Sequence, residues 1–140
     1  MMSYTLSFRL RLSLFTLRLG VFIVMFFWTL DKLIRPEHAS QVFENFYSLG
    51  GLEHQAMKVI GLIEMFLLAG FLLGVKKRFT YGAVLLLHAV STFSSYKQYF
   101  SPFDKGNLLF FAAWPMLAAC FAVYLLREED TLFTLSRRKF

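Results

Sequence analysis

Four long apolar runs, separated by short polar stretches, occupy most of the chain. The first covers about residues 12–33, with the unbroken core LGVFIVMFFWTL from Leu19 to Leu30, and Pro36 closes it. The second, about 56–75, contains VIGLIEMFLLAGFLLGV with a single carboxylate. The third, about 79–99, is the most polar of the four, and the fourth, about 107–126, carries no charge. A helix rises about 1.5 Å per residue, so about 20 apolar residues cross the roughly 30 Å of bilayer hydrocarbon. Each run meets that length. Peptide groups in lipid must bond among themselves, so all four are expected to be α-helices. The pattern predicts one all-α domain over 1–140, a polytopic membrane protein built as an antiparallel bundle of four transmembrane helices.

The link between the first two runs has a pattern of its own. Ala39, Val42, Phe43, Phe46 and Tyr47 recur every three or four residues, after Pro36 and before Gly50-Gly51. Helix start and stop signals around an apolar stripe predict a short amphipathic helix over about 36–49, lying on the outer membrane surface or capping the bundle. The flanking segments SYTLSFRLRLSLF and TLFTLSRRKF read as interfacial helices or anchors. The first run is not read as a cleaved signal peptide: DKLIRPEHAS after it lacks a small-x-small cleavage site, and three further spans follow.

Composition supports lipid as the solvent. Hydrophobic residues make up 57% of the chain and charged residues 17%, and the mean hydropathy is +0.55; soluble domains run nearer 45–50% and about 25%. Eighteen phenylalanines are hard to bury in so short a chain but easy to place against lipid. The net charge of +6 would suggest a nucleic-acid partner in a soluble protein. Here the basic residues fall at segment ends and no nucleic-acid motif is present, so topology explains them. Ten of the fifteen flank one side: Arg9, Arg11 and Arg18; Lys76, Lys77 and Arg78; Arg127, Arg137, Arg138 and Lys139. Positive charge stays inside, so both termini are expected in the cytoplasm and the 35–55 loop outside. Cys120 is the only cysteine, which excludes an internal disulfide, a CxxC pair and a thiolate cluster.

Ionisable groups at membrane depth are costly and normally face a partner inside the protein. Arg18, Asp31, Lys32, Glu64 and His88 are such groups. Arg18, Met25 and Lys32 share a face at sevenfold spacing, with Trp28 beside them. Glu64 lies on a stripe with Met57, Gly61, Leu68 and Phe71, and His88 heads one with Ser91, Thr92, Ser95 and Tyr99. Asn107, Trp114 and Phe121 form a further sevenfold line. Counting from the basic turn at 76–78, Glu64 sits about 16 Å up its helix and His88 about 13 Å up its own. Matching heights predict a Glu64–His88 contact, with Lys32 in reach. Interhelical polar contacts in membranes contribute only about 0.6 kcal/mol on average, a weak reason to keep Lys, Glu and His for packing alone. A binding or proton-handling site is the sharper expectation. The plainer readings are Arg18 as an interface anchor, Asp31 exposed at the outer interface and Cys120 in ordinary packing. No metal site is expected: no HxxH or ExxH pair exists, and bis-histidine haem would require His54 to fold over His88. Gly70 and Gly74 form a GxxxG step and Ala112, Ala113, Ala118, Ala119 and Ala122 line the fourth helix, which permits close packing within the chain or in a homo-oligomer.

Three stretches, RLGVFIVMFFWTLDKLIRP, GLIEMFLLAGFLLGVKKRF and DKGNLLFFAAW, resemble the DoxX family of small four-helix bacterial membrane proteins over roughly Leu19 to Leu126. Carried over by position, the resemblance points at Lys32, Glu64, Asn107 and Arg18. The family often has glycine ahead of the lysine; Trp28-Thr29-Leu30-Asp31 stands there in this chain, which would narrow a pocket. The resemblance implies a bacterial inner-membrane location and a tie to redox biology, since a named member is associated with thiosulfate:quinone oxidoreduction. Related eukaryotic proteins serve assembly and cargo reception without catalysis. The expectation is therefore a membrane subunit or anchor of a redox system, not an enzyme alone, partnered by an oxidoreductase. Lys32 and His88 would bind a quinone headgroup, Glu64 would exchange its proton, and Trp28, Trp114 and Phe111 would flank the ring. A non-catalytic assembly protein is the rival reading. A small transporter ranks behind both, because the chain has no internal repeat.

Overall fold

The structure is a computed structural model that describes residues 2–47 and 54–136, with the side chains at 2, 3, 43, 46, 47 and 54 left aside. Every regular element among the described residues is helical: α1 (Met2–Ile34), α2 (Pro36–Tyr47), α3 (His54–Leu73), α4 (Lys77–Ser94), α5 (Tyr96–Phe100) and α6 (Ala113–Leu125), with a 3-10 helix over Asn107–Ala112 leading into α6. Three stretches are long and apolar enough to cross a membrane: Tyr4–Ile34, Gln55–Leu73 and Asn107–Leu125. Large apolar side chains such as Phe27, Phe66, Leu86, Phe93 and Leu109 point outward. Monomeric soluble proteins do not carry so much contiguous apolar surface. The chain is an all-helical, membrane-embedded protein.

Helix α1 runs ten residues further back than its apolar run. At 33 residues it is about 50 Å long, and the segment expected as a separate interfacial piece is continuous with it. Its principal neighbours are α3 and α6, while α4 packs on α6 and α3. The core between these helices is one cluster of Leu14, Val21, Leu68, Phe71, Tyr81, Val84, Cys120 and Val123. The stripe expected on α3 is observed: Met57, Leu68 and Phe71 are fully buried and Gly61 faces α1. Cys120 is a packing residue in that core.

The α3–α4 turn follows from its glycine. Gly74, at φ +66°, ends α3. The Gly74 and Val75 amides donate to the Phe71 and Gly70 carbonyls at 3.2 and 2.9 Å, the paired bonds of a Schellman cap that needs a left-handed residue. Both glycines of the GxxxG step are used inside the chain: Cβ atoms added there would meet Thr80 Cγ2 at 3.0 Å from Gly70 and Thr134 Cγ2 at 2.6 Å from Gly74.

The third apolar run is shorter as a helix than its sequence suggests. It reads as a span over 79–99, but α4 stops at Ser94, and its 18 residues, about 27 Å, are not among the three spanning stretches. Thr92 Oγ1, Ser94 Oγ and Ser95 Oγ each donate to the carbonyl four residues back, at 2.7, 2.6 and 3.2 Å. Such back-bonding competes with the helical ladder and bends or ends it. Tyr99 then folds back, its hydroxyl donating to the Thr92 carbonyl at 2.7 Å.

Helix α2 packs on α1, α3 and α4, which selects capping over lying free on the membrane surface. Ala39 is buried as expected. Gly50-Gly51 lie outside the described residues, as do the side chains of Phe43, Phe46 and Tyr47 in the expected stripe. Of the segment read as an interfacial helix or anchor, residues 131–136 are not helical: residues 127–136 form turns that fold back, with the Leu135 amide donating to the Leu73 carbonyl at 2.8 Å. Arg18 is the physical reason, as the site geometry shows.

Candidate functional site

Lys32 and Glu64 come together between α1 and α3. Glu64 Oε2 accepts hydrogen bonds from Lys32 Nζ at 2.6 Å and from Thr29 Oγ1 at 3.1 Å. Both charged side chains are only 15% exposed, and Thr29 is enclosed. Gly61, one turn from Glu64 on the same face, allows this approach: a Cβ there would lie 3.2 Å from Lys32 Cβ and 3.0 Å from Leu33 Cδ2. Thr29 and Lys32 are three residues apart on α1, so both reach the carboxylate from one face. The result is a compact ammonium–carboxylate–hydroxyl group at a helix interface, able to donate and accept hydrogen bonds and to hold a proton.

His88 does not join it. Its Nε2 lies 3.0 Å from the Ala113 carbonyl on α6, so that nitrogen carries the proton and donates. The expected Glu64–His88 contact is replaced by two separate ones, Glu64 to α1 and His88 to α6. Equal height along neighbouring helices did not mean facing sides, because α4 turns its His88, Thr92, Ser95 face toward α6. Trp114 belongs with that second group: its ring lies 5.4 Å from Tyr99 and 5.7 Å from Phe93. Phe111 meets Tyr99 edge to face at 5.3 Å. Asn107 closes a loop, its Nδ2 donating to the Ser101 carbonyl at 2.8 Å, and contributes nothing to the Lys32–Glu64 pair.

Trp28 faces outward from α1 and lines a shallow groove of about 620 Å³ with Ile23, Phe27, Ile34, Arg35 and His38. Asp31 sits at its polar end. It is not freely exposed, because Arg35 Nε and His38 Nδ1 approach its carboxylate at 2.7 and 2.6 Å. These contacts fasten the start of α2 to the end of α1.

Arg18 departs most from its expected role. It is completely buried rather than anchored in an interface. Its Nη1 lies 2.5 Å from Asp130 Oδ1 and its Nη2 donates to the Leu132 carbonyl at 2.6 Å. Tyr81 OH donates to Asp130 Oδ2 at 2.7 Å, and Lys77 Nζ to the Asp130 carbonyl at 2.6 Å. Burial pushes the Lys77 ammonium below its ordinary value, and the Asp130 carboxylate pushes it back up. An arginine inside a span demands a counterion, and no acid within the four apolar runs lies near its level. That demand was the available signal for Asp130 and Tyr81.

Compared with family models, curated proteins and solved structures, the chain matches none.

Proposed function

We propose that this chain is a DoxX-like membrane subunit or anchor of a redox system, and that the Lys32–Glu64–Thr29 group takes the polar head of a quinone or similar small ligand. The single observation behind it is the 2.6 Å Lys32–Glu64 pair, set between helices and still 15% exposed on each side. A pair kept only for cohesion gains little in lipid, whereas a reachable ammonium and carboxylate can donate to a carbonyl oxygen and pass a proton. His88, Trp114 and Asn107 have no place in this site. The test is equilibrium binding of a short-chain quinone to the purified protein. Wild type is expected to bind, and Glu64→Gln and Lys32→Met to bind at least about tenfold more weakly, a difference of about 1.4 kcal/mol. Equal affinity in all three, or no binding to wild type, would put the second reading ahead. That reading, a non-catalytic assembly or partner-binding protein, draws on the fact that Glu64 already has partners within the chain.

In this reading α4 crosses the membrane as well, making a four-helix antiparallel bundle. Helix-to-helix packing in the cyclic order α1, α3, α4, α6 supports it. So does the gathering at one end of the α3–α4 turn, the segment after α6 and Arg18, while Lys32 and α2 gather at the other. The excess of basic residues supports a cytoplasmic first end, and the DoxX-like reading supports a bacterial inner membrane. A cysteine placed at the exposed Arg78 should be labelled by an impermeant maleimide only after the cytoplasmic face is opened. Labelling in intact cells would invert the topology.

A further inference from the structure

The Lys32–Glu64 reading makes no use of the fully buried Asp130, although both its carboxylate and its backbone carbonyl are engaged. Its carboxylate is met by Arg18 Nη1 and Tyr81 OH, and its backbone carbonyl by Lys77 Nζ. The three partners stand on α1 and α4; the carboxylate arrives on a turn-rich segment that belongs to neither. We propose that Arg18, Tyr81 and Lys77 form a carboxylate-binding site whose ligand is the chain's own Asp130, and that residues 127–136 are a latch that detaches when that carboxylate leaves.

The distribution of apolar burial separates a latch from an ordinary part of the fold. The core cluster reaches Val123, with Tyr124 packed against it, and takes in no residue of the 127–136 segment. Of the large apolar side chains of the segment, Phe133 and Leu135 are 77% and 68% exposed, and Leu132 is half-buried. The segment's apolar attachments include half-buried Leu132, the Phe15–Phe133 ring contact at 4.9 Å and the Thr134 methyl over Gly74. Its polar attachments include the bonds to Asp130, the Arg18 bonds to the Leu132 and Phe133 carbonyls and the Leu135–Leu73 backbone bond. One local feature works against docking: Phe133 holds φ at +53°, a left-handed conformation that disfavours a side chain. A segment whose one fully enclosed residue is a carboxylate can open as a local unit while the helices stay packed. Once it opens, Arg18, Tyr81 and Lys77 offer two cations and a hydroxyl to a carboxylate from outside the chain.

Cys120 makes the test possible within one molecule. It is enclosed in the core on α6, so its reaction with a maleimide reports opening of the helices. A Thr134→Cys substitution adds a second thiol where the segment lies against Gly74. In the full chain, Asp130→Asn and Asp130→Ala should each speed labelling at position 134 several-fold and leave Cys120 as slow as before. Sodium formate should slow labelling at position 134 in Asp130→Ala, where it replaces the missing carboxylate, and sodium chloride at equal ionic strength should not. Unchanged labelling at position 134 in both variants would show that Asp130 does not hold the segment. Labelling of Cys120 in step with the introduced thiol, or failure of both variants to fold, would make the segment an integral part of the fold and overturn the latch. Formate acting no better than chloride would remove the carboxylate site.

Discussion

Truncating Phe71 to alanine is expected to lower stability by about 3–5 kcal/mol, the range for emptying a packed aromatic site. Phe71 is enclosed in the central cluster and meets Tyr81 edge to face at 5.0 Å. Lipid is nearly as apolar as the interior, so the loss comes less from transfer out of water than from contacts that nothing refills. The effect also spreads. With Phe71 gone, Tyr81 loses the ring that steadies it, and its hydroxyl is one of the two groups on the Asp130 carboxylate. Unfolding of the purified protein in detergent, with Phe66→Ala beside it, is the measurement. Phe66 is 72% exposed on the same helix, so its truncation should cost far less. Equal costs for the two would mean that Phe71 is not in the core.

Lys32→Met should be the second costliest change, about 2–3 kcal/mol. Removing one partner of a buried pair costs more than the pair contributes, because the other charge is left without compensation. In this variant the Glu64 carboxylate keeps the Thr29 hydroxyl and little water, being only 15% exposed. Methionine matches the lysine stem in length, so packing around Gly61 is retained. The double variant Lys32→Met, Glu64→Gln removes the orphan charge and should recover much of the loss. A double-mutant cycle reads the coupling directly. Additive single effects would show that the two side chains do not depend on each other, and the proposed ligand site would lose its basis at the same time.

How far each feature could be read from the chain depends on the range of its cause. The stripe Met57, Gly61, Leu68, Phe71 is a matter of helical period and was legible, as was the helix after Pro36. The end of α4 at Ser94 was not. A run of Ser and Thr at membrane depth can face a neighbour or bond to its own backbone, and in the folded chain Thr92, Ser94 and Ser95 do the latter.

Hydrophobic length and period, read along the sequence, determined that this protein is helical and lives in lipid, because each peptide group in lipid must be satisfied within its own segment. They also marked Lys32, Glu64, His88 and Arg18 as groups that need partners. Which partners they found was decided by the tertiary structure alone. Glu64 took Lys32 and Thr29 because Gly61 brings α1 close. His88 took the Ala113 carbonyl because its face of α4 turns to α6. Arg18 took Asp130, 112 residues away, because the α3–α4 turn and the segment after α6 meet at its level. A charge in an apolar helix states a demand that composition makes visible; the rotation of each helix about its axis, set by side-chain packing, determines which group meets it.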